Sequence, residues 1–283
     1  MKDKLIVLGH IAAIIVVYIL SFILPGIITG IIDFPERIDF LRIIVQALIA
    51  ITIFVFGSKL YVEKIMKLKL SDLRVKFKKP DTLWIVAAVL VPASVVLFYF
   101  LTGRVDIVTD STNSYHTIRF FTHILFVGGL CAGIVEEIFF RGILLGYLEK
   151  KYGFVSAVII SSLLFGAPHL LNVDVFSIAL IIQVSIFIAL YGVILSMIVY
   201  YTDNIWNTIS IHIAWNTITG LIINQGDAVE SNFVLQLKGK NLFWYGGDYG
   251  LDISIVGLIG ISIFGFLVII RQGRNSKKRE ITG

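Results

Sequence analysis

The sequence predicts an all-α polytopic membrane protein, with about eight transmembrane helices around an intramembrane active-site cavity. Three observations lead there. Of 283 residues, 57% are apolar and only 15% charged, with a mean hydropathy of +0.91, too little polar surface to clothe a water-soluble globule. Apolar runs of about 20 residues, the length that crosses roughly 30 Å of hydrocarbon, recur along the whole chain and leave no room for a separate soluble domain. Within three of these runs sit ionisable residues that hydrocarbon does not tolerate without a reason.

Apolar runs read against turn and charge signals give spans at 5–32, 38–60, 82–102, 117–147, 154–171, 176–201, 205–222 and 251–270. The first follows Lys2 and Lys4 as a signal peptide would. It is too long for one and lacks a small-residue cleavage pattern, so it is expected to be a helix of the mature protein. Breaks fall at Asp33-Phe34-Pro35-Glu36, the basic stretch Lys59 to Lys79, the polar stretch Gly103 to Ser114, Lys150-Lys151, Asn172-Val173-Asp174, Thr202-Asp203-Asn204 and the segment around Gly246-Gly247-Asp248. Residues 1–283 are expected to form a single integral membrane domain, with a polar core at about 117–222 and a basic tail at 271–283.

Lysine and arginine set the orientation. One side collects Lys2, Lys4, eight residues from Lys59 to Lys79, Lys150, Lys151 and five from Arg271 onward, 17 altogether; the other has Arg37, Arg104, Lys238 and Lys240. An even number of spans then puts both termini in the cytoplasm. The net charge of +5 and pI near 9.2 are explained by these loops and imply no nucleic-acid partner. Cys131 is the only cysteine, which excludes an intramolecular disulfide and a multi-cysteine metal site.

The fourth span holds Glu136-Glu137-Ile138-Phe139-Phe140-Arg141. Glu137 and Arg141 are i,i+4 and share a helix face, whereas Glu136 is turned by about 100°. One carboxylate is therefore expected to pair with Arg141 while the other stays free, a division suited to one ligating or structural acid and one general base. The bland alternative is a Glu–Arg pair that fixes packing, with Glu136 incidental.

The fifth span holds Phe165-Gly166-Ala167-Pro168-His169. A lone histidine is more often a packing residue than a ligand. Here Pro168 removes a backbone donor and is expected to kink the helix, as happens where irregular backbone lines a cavity. Phe165 is equally well a pocket wall or plain core. On the seventh span, His212 and Asn216 are again i,i+4, so an imidazole and an amide can face one space; the alternative is a hydrogen-bonded pair joining helices. Histidine is the commonest metal-binding side chain, and asparagine can stabilise an oxyanion. Two histidines, a carboxylate and an open position for water form one catalytic zinc set, with a second carboxylate as base.

Glu136-Glu137-xxx-Arg141, Phe165-xxx-His169 and His212-xxx-Asn216, in that order on successive spans, resemble the three signature motifs of the CPBP intramembrane metalloproteases. That family includes the type II CAAX prenyl endopeptidases and Abi-type bacterial proteins associated with bacteriocin processing and self-immunity. The resemblance covers about 117–222. It implies catalytic roles for Glu136, Glu137, Arg141 and Asn216: Glu136 as the base that activates water, Arg141 as partner of the acidic pair, Asn216 as oxyanion stabiliser. It implies Glu137, His169 and His212 around a divalent metal, expected to be zinc, and a peptide or protein substrate at or within a bacterial cell membrane.

A different class also accommodates the same buried Glu and His residues: a non-proteolytic immunity or binding protein, or a proton-coupled transporter. A transporter is expected to show paired repeats, and no second copy of these segments is evident. The sequence carries no HExxH, no GxSG serine on a span and no GxGD pair, so other intramembrane protease types fit poorly.

Overall fold

A computed structural model describes residues 2–109, 114–173, 177–227, 231 and 233–282, with the side chains of Lys2, Ser114, Asn172 and 273–282 outside the description. The basic side chains expected in the tail beyond Arg271, and parts of the breaks expected at Gly103–Ser114 and Asn172–Asp174, lie outside the described residues.

The chain opens with α1 (Lys2–Gly30), α2 (Asp39–Lys64) and α3 (Thr82–Leu101). A long rod follows, built of α4 (Ser114–Thr122), a π-helical stretch (His123–Cys131), α5 (Ala132–Glu136), a second π-helical stretch (Glu137–Leu144) and α6 (Leu145–Tyr152). Next come α7 (Phe154–Gly166), a 3-10 turn (Ala167–Asn172), α8 (Ile178–Thr202), α9 (Ile205–Thr219), the short α10 (Leu242–Tyr245) and α11 (Ile255–Thr282). Among the described residues, seven helices are long and apolar enough to cross a membrane. Their lipid-facing sides carry the exposed leucines, isoleucines and phenylalanines that a soluble protein would bury, such as Leu5, Leu90 and Phe266.

The segment expected as a seventh span, 205–222, departs from that expectation. Helix α9 has only 15 residues, and Ile222–Ile223 turns into a strand. At 1.5 Å per residue such a helix covers about 22 Å, short of the hydrocarbon thickness. It survives because its polar residues are shielded by protein: Asn207, Thr208 and His212 are buried against the surrounding helices.

A close approach sets its place. Gly129 and Gly133, one turn apart, face α9, and a Cβ on Gly133 would lie 2.6 Å from Ile213 Cγ1 and 3.1 Å from the Ile213 backbone nitrogen. Small residues spaced by four let two membrane helices touch backbone to backbone. This contact brings the fourth span's carboxylates beside His212.

The loops sort to two ends. At one, Arg74 pairs with Glu149 at 2.7 Å, Lys76 with Asp203 at 2.6 Å and Arg271 with Asp81 at 2.8 Å, while Asn204 donates to the Lys79 carbonyl. At the other, a feature absent from the all-helical expectation appears: a three-stranded sheet of order β1-β3-β2, from Val105–Val108, Val234–Leu237 and Ile222–Ile223. β1 pairs antiparallel and β2 parallel with β3. These are loops the hydropathy reading assigned to one face, and the sheet ties them together.

Candidate active site

Within the rod, Glu137 is completely buried and its Oε1 lies 3.1 Å from Arg141 Nη1, which has no exposed side-chain surface either. The same Oε1 accepts a hydrogen bond of 2.9 Å from His212 Nδ1. Arg141 also stacks on Phe165, its guanidinium carbon 3.9 Å from the ring centroid. The expected i,i+4 pair therefore forms, and of the two readings of Phe165 the pocket wall holds: its ring also meets His169 and His212, with centroids 5.0 and 6.1 Å away.

Glu136, one residue earlier, turns to the other side and retains 15% of its side-chain exposure. Its Oε2 stands 3.9 Å from His212 Nε2. Tyr18, on α1, donates to Glu136 Oε1 at 3.3 Å, and its ring stacks on Phe139 with centroids 5.1 Å apart. Tyr18 was not legible as a site residue, because a single tyrosine in an apolar first span carries no sequence signal.

α7 ends at Gly166, and Pro168 sits in the 3-10 turn that follows, the distortion its missing N–H predicts. His169 uses the loosened backbone, with Nδ1 2.9 Å from the Phe165 carbonyl oxygen. Asn216 donates through Nδ2 to the Gly128 carbonyl at 2.8 Å, which leaves the second amide hydrogen.

Glu136, His169, His212 and Asn216 line one cavity of about 420 Å3. Phe165, Tyr191, Trp215 and Tyr249 contribute aromatic walls, and Asn224, Asp227 and Asp252 line it further out. Asp252 sits in the turn ahead of α11 and accepts from Trp215 Nε1 at 2.9 Å; burial pushes its carboxyl above the usual range, against the opposing effect of that hydrogen bond. Burial likewise raises the Tyr249 phenol.

Glu137 and Arg141 do not line the cavity. For Glu137, which the resemblance puts around a metal, the structure gives a place behind the cavity lining. Its carboxylate lies behind His212, engaged with imidazole and guanidinium, and orients the ring from the second layer. Among the described residues, no three His, Cys, Asp or Glu side chains gather into a ready-made metal cluster. The donor chemistry nonetheless suits a divalent ion: both imidazoles engage Nδ1 with an acceptor, Glu137 for His212 and the Phe165 carbonyl for His169, and so keep Nε2 for the cavity.

Fold and site together define a polytopic α-helical membrane protein with a polar, carboxylate- and imidazole-bearing cavity among its spans. Residues 118–218, about a third of the chain, match the family model described as type II CAAX prenyl endopeptidase Rce1-like. The matched stretch contains all three motifs, so the resemblance read from them is borne out. No curated protein matches the chain.

Proposed function

We propose that this protein is an intramembrane endopeptidase that hydrolyses peptide bonds of membrane-associated or prenylated polypeptides, with Glu136 as the base that activates water. The observation that carries the reading is the opposition of Glu136 Oε2 and His212 Nε2 across 3.9 Å in the cavity. A gap of that size is spanned by one water oxygen in hydrogen-bond reach of both groups. Glu136 takes the proton of such a water as the oxygen attacks the scissile carbonyl, then delivers it to the leaving amine.

His212 is held in one tautomer. Its Nδ1–H is committed to Glu137, so Nε2 presents a lone pair to the cavity, and Arg141 neutralises the carboxylate behind it. Asn216 supplies the free amide hydrogen for the developing oxyanion. Tyr18 fixes the Glu136 carboxylate from α1. His169 and His212 would hold a divalent metal, zinc being the best match, and such an ion supplies a polarised carbonyl and a more acidic water. The lysine-rich end of the molecule lies in the cytoplasm with both termini.

The test is metal content and peptide cleavage of detergent-purified wild type beside His169→Ala and His212→Ala. Near-stoichiometric zinc lost in both variants, together with cleavage of prenylated or leader-type peptides, is the expected result. Full cleavage by both variants contradicts the roles given to the imidazoles.

A further inference from the structure

We infer that the cavity is entered from the face opposite both termini, so that its substrates are polypeptide segments exposed on the non-cytoplasmic side. The term substrate rests on the protease reading; the side of entry does not.

The polarity of the cavity follows from which turns line it. On α9, His212, Asn216 and Thr219 line it in succession toward the C-terminal end, while Asn204, Asn207 and Thr208 at the N-terminal end do not. The lining continues through Gly220, Ile222, Ile223, Asn224 and Asp227, then Tyr249 to Asp252. All belong to the connection from α9 to α11, at the end that carries the sheet. Asp227 is exposed and marks the mouth. His212 lies two turns from that end of α9, about 10 Å at 1.5 Å per residue.

The opposite end is closed. There Arg74, Lys76 and Arg271 pair with Glu149, Asp203 and Asp81, and none of these residues lines the cavity. It is also the end on which 17 of the 24 Lys and Arg residues fall, which fixes it as cytoplasmic by the charge bias of membrane loops. A mouth at the lysine-poor end therefore faces away from the cytoplasm.

Sealed right-side-out and inverted membrane vesicles carrying the full chain test the entry side. Asp227→Cys and, at the opposite end, Lys151→Cys are treated with a membrane-impermeant maleimide; the native Cys131 is buried. An impermeant quenched peptide is then added to vesicles with wild type or Glu136→Gln. Labelling of Asp227→Cys and cleavage by wild type only in right-side-out vesicles are expected, with Lys151→Cys labelled only in inverted ones. The reversed pattern overturns the inference. Equal signals from wild type and Glu136→Gln sink the protease reading, and labelling alone then decides the side of entry.

Discussion

His212 Nδ1 and Arg141 Nη1 converge on a single oxygen of Glu137, at 2.9 and 3.1 Å, so one buried carboxylate orients the imidazole and neutralises the guanidinium. Removing it leaves Arg141 uncompensated in the membrane interior. Glu137→Ala is expected to lower stability by roughly 3–5 kcal/mol, read by denaturant or thermal unfolding in detergent. Glu137→Gln keeps the volume but loosens the tautomer of His212, so kcat is expected to fall 10- to 100-fold even where the protein remains folded. Unchanged kcat in the glutamine variant would refute the orienting role.

Tyr18 holds Glu136 from a helix outside the matched segment 118–218. Tyr18→Phe keeps the ring on Phe139 and removes only the hydroxyl, so a fall in kcat of roughly tenfold with little change in KM is expected, the effect of about 1.4 kcal/mol. A change confined to KM, or to thermal stability, would make Tyr18 a packing residue.

Gly133 sets the distance between the base and His212, because a methyl there meets the Ile213 backbone nitrogen at 3.1 Å. Gly133→Ala is expected to cost about 1–3 kcal/mol of stability and to reduce cleavage disproportionately, since the α9 backbone must retreat. Gly26→Ala, on α1 with open space around its Cβ position, is the control. Equal behaviour of the two variants would show that this contact does not tune the site.

The raised Asp252 carboxyl predicts a pH-dependent stability. A carboxyl whose folded pKa exceeds its unfolded value stabilises the fold while protonated, and that contribution is lost as pH rises from the ordinary carboxylate range through the folded pKa. Asp252→Asn, whose side-chain oxygen still accepts from Trp215, is therefore expected to flatten the fall in melting temperature between acidic and neutral pH. A wild-type-like slope in the variant contradicts this.

Seven of the eight expected spans and the three motifs were legible because both depend on local pattern: long apolar runs, and polar residues where hydrocarbon forbids them. The i,i+4 geometry of Glu137 with Arg141 followed directly from helix periodicity, and Pro168 announced the distortion that frees the Phe165 carbonyl for His169. What stayed hidden depends on which helix lies beside which. Tyr18 and Asp252 are remote in sequence from the motifs, and the sheet joins strands far apart in the chain, so their partners appear only on folding. For Glu137, periodicity gave the shared face with Arg141 but not that His212 meets the same carboxylate oxygen. One signal was overlooked: Gly129 and Gly133, spaced for close helix contact, pointed to an intimate neighbour for the fourth span.

The most direct measurement is cleavage by purified, reconstituted protein with products identified by mass, wild type beside Glu136→Gln. Sequence-specific cleavage by wild type, reduced by at least about 1,000-fold in Glu136→Gln, is the predicted result for loss of the water-activating base. Cleavage undiminished in Glu136→Gln would contradict the central assignment.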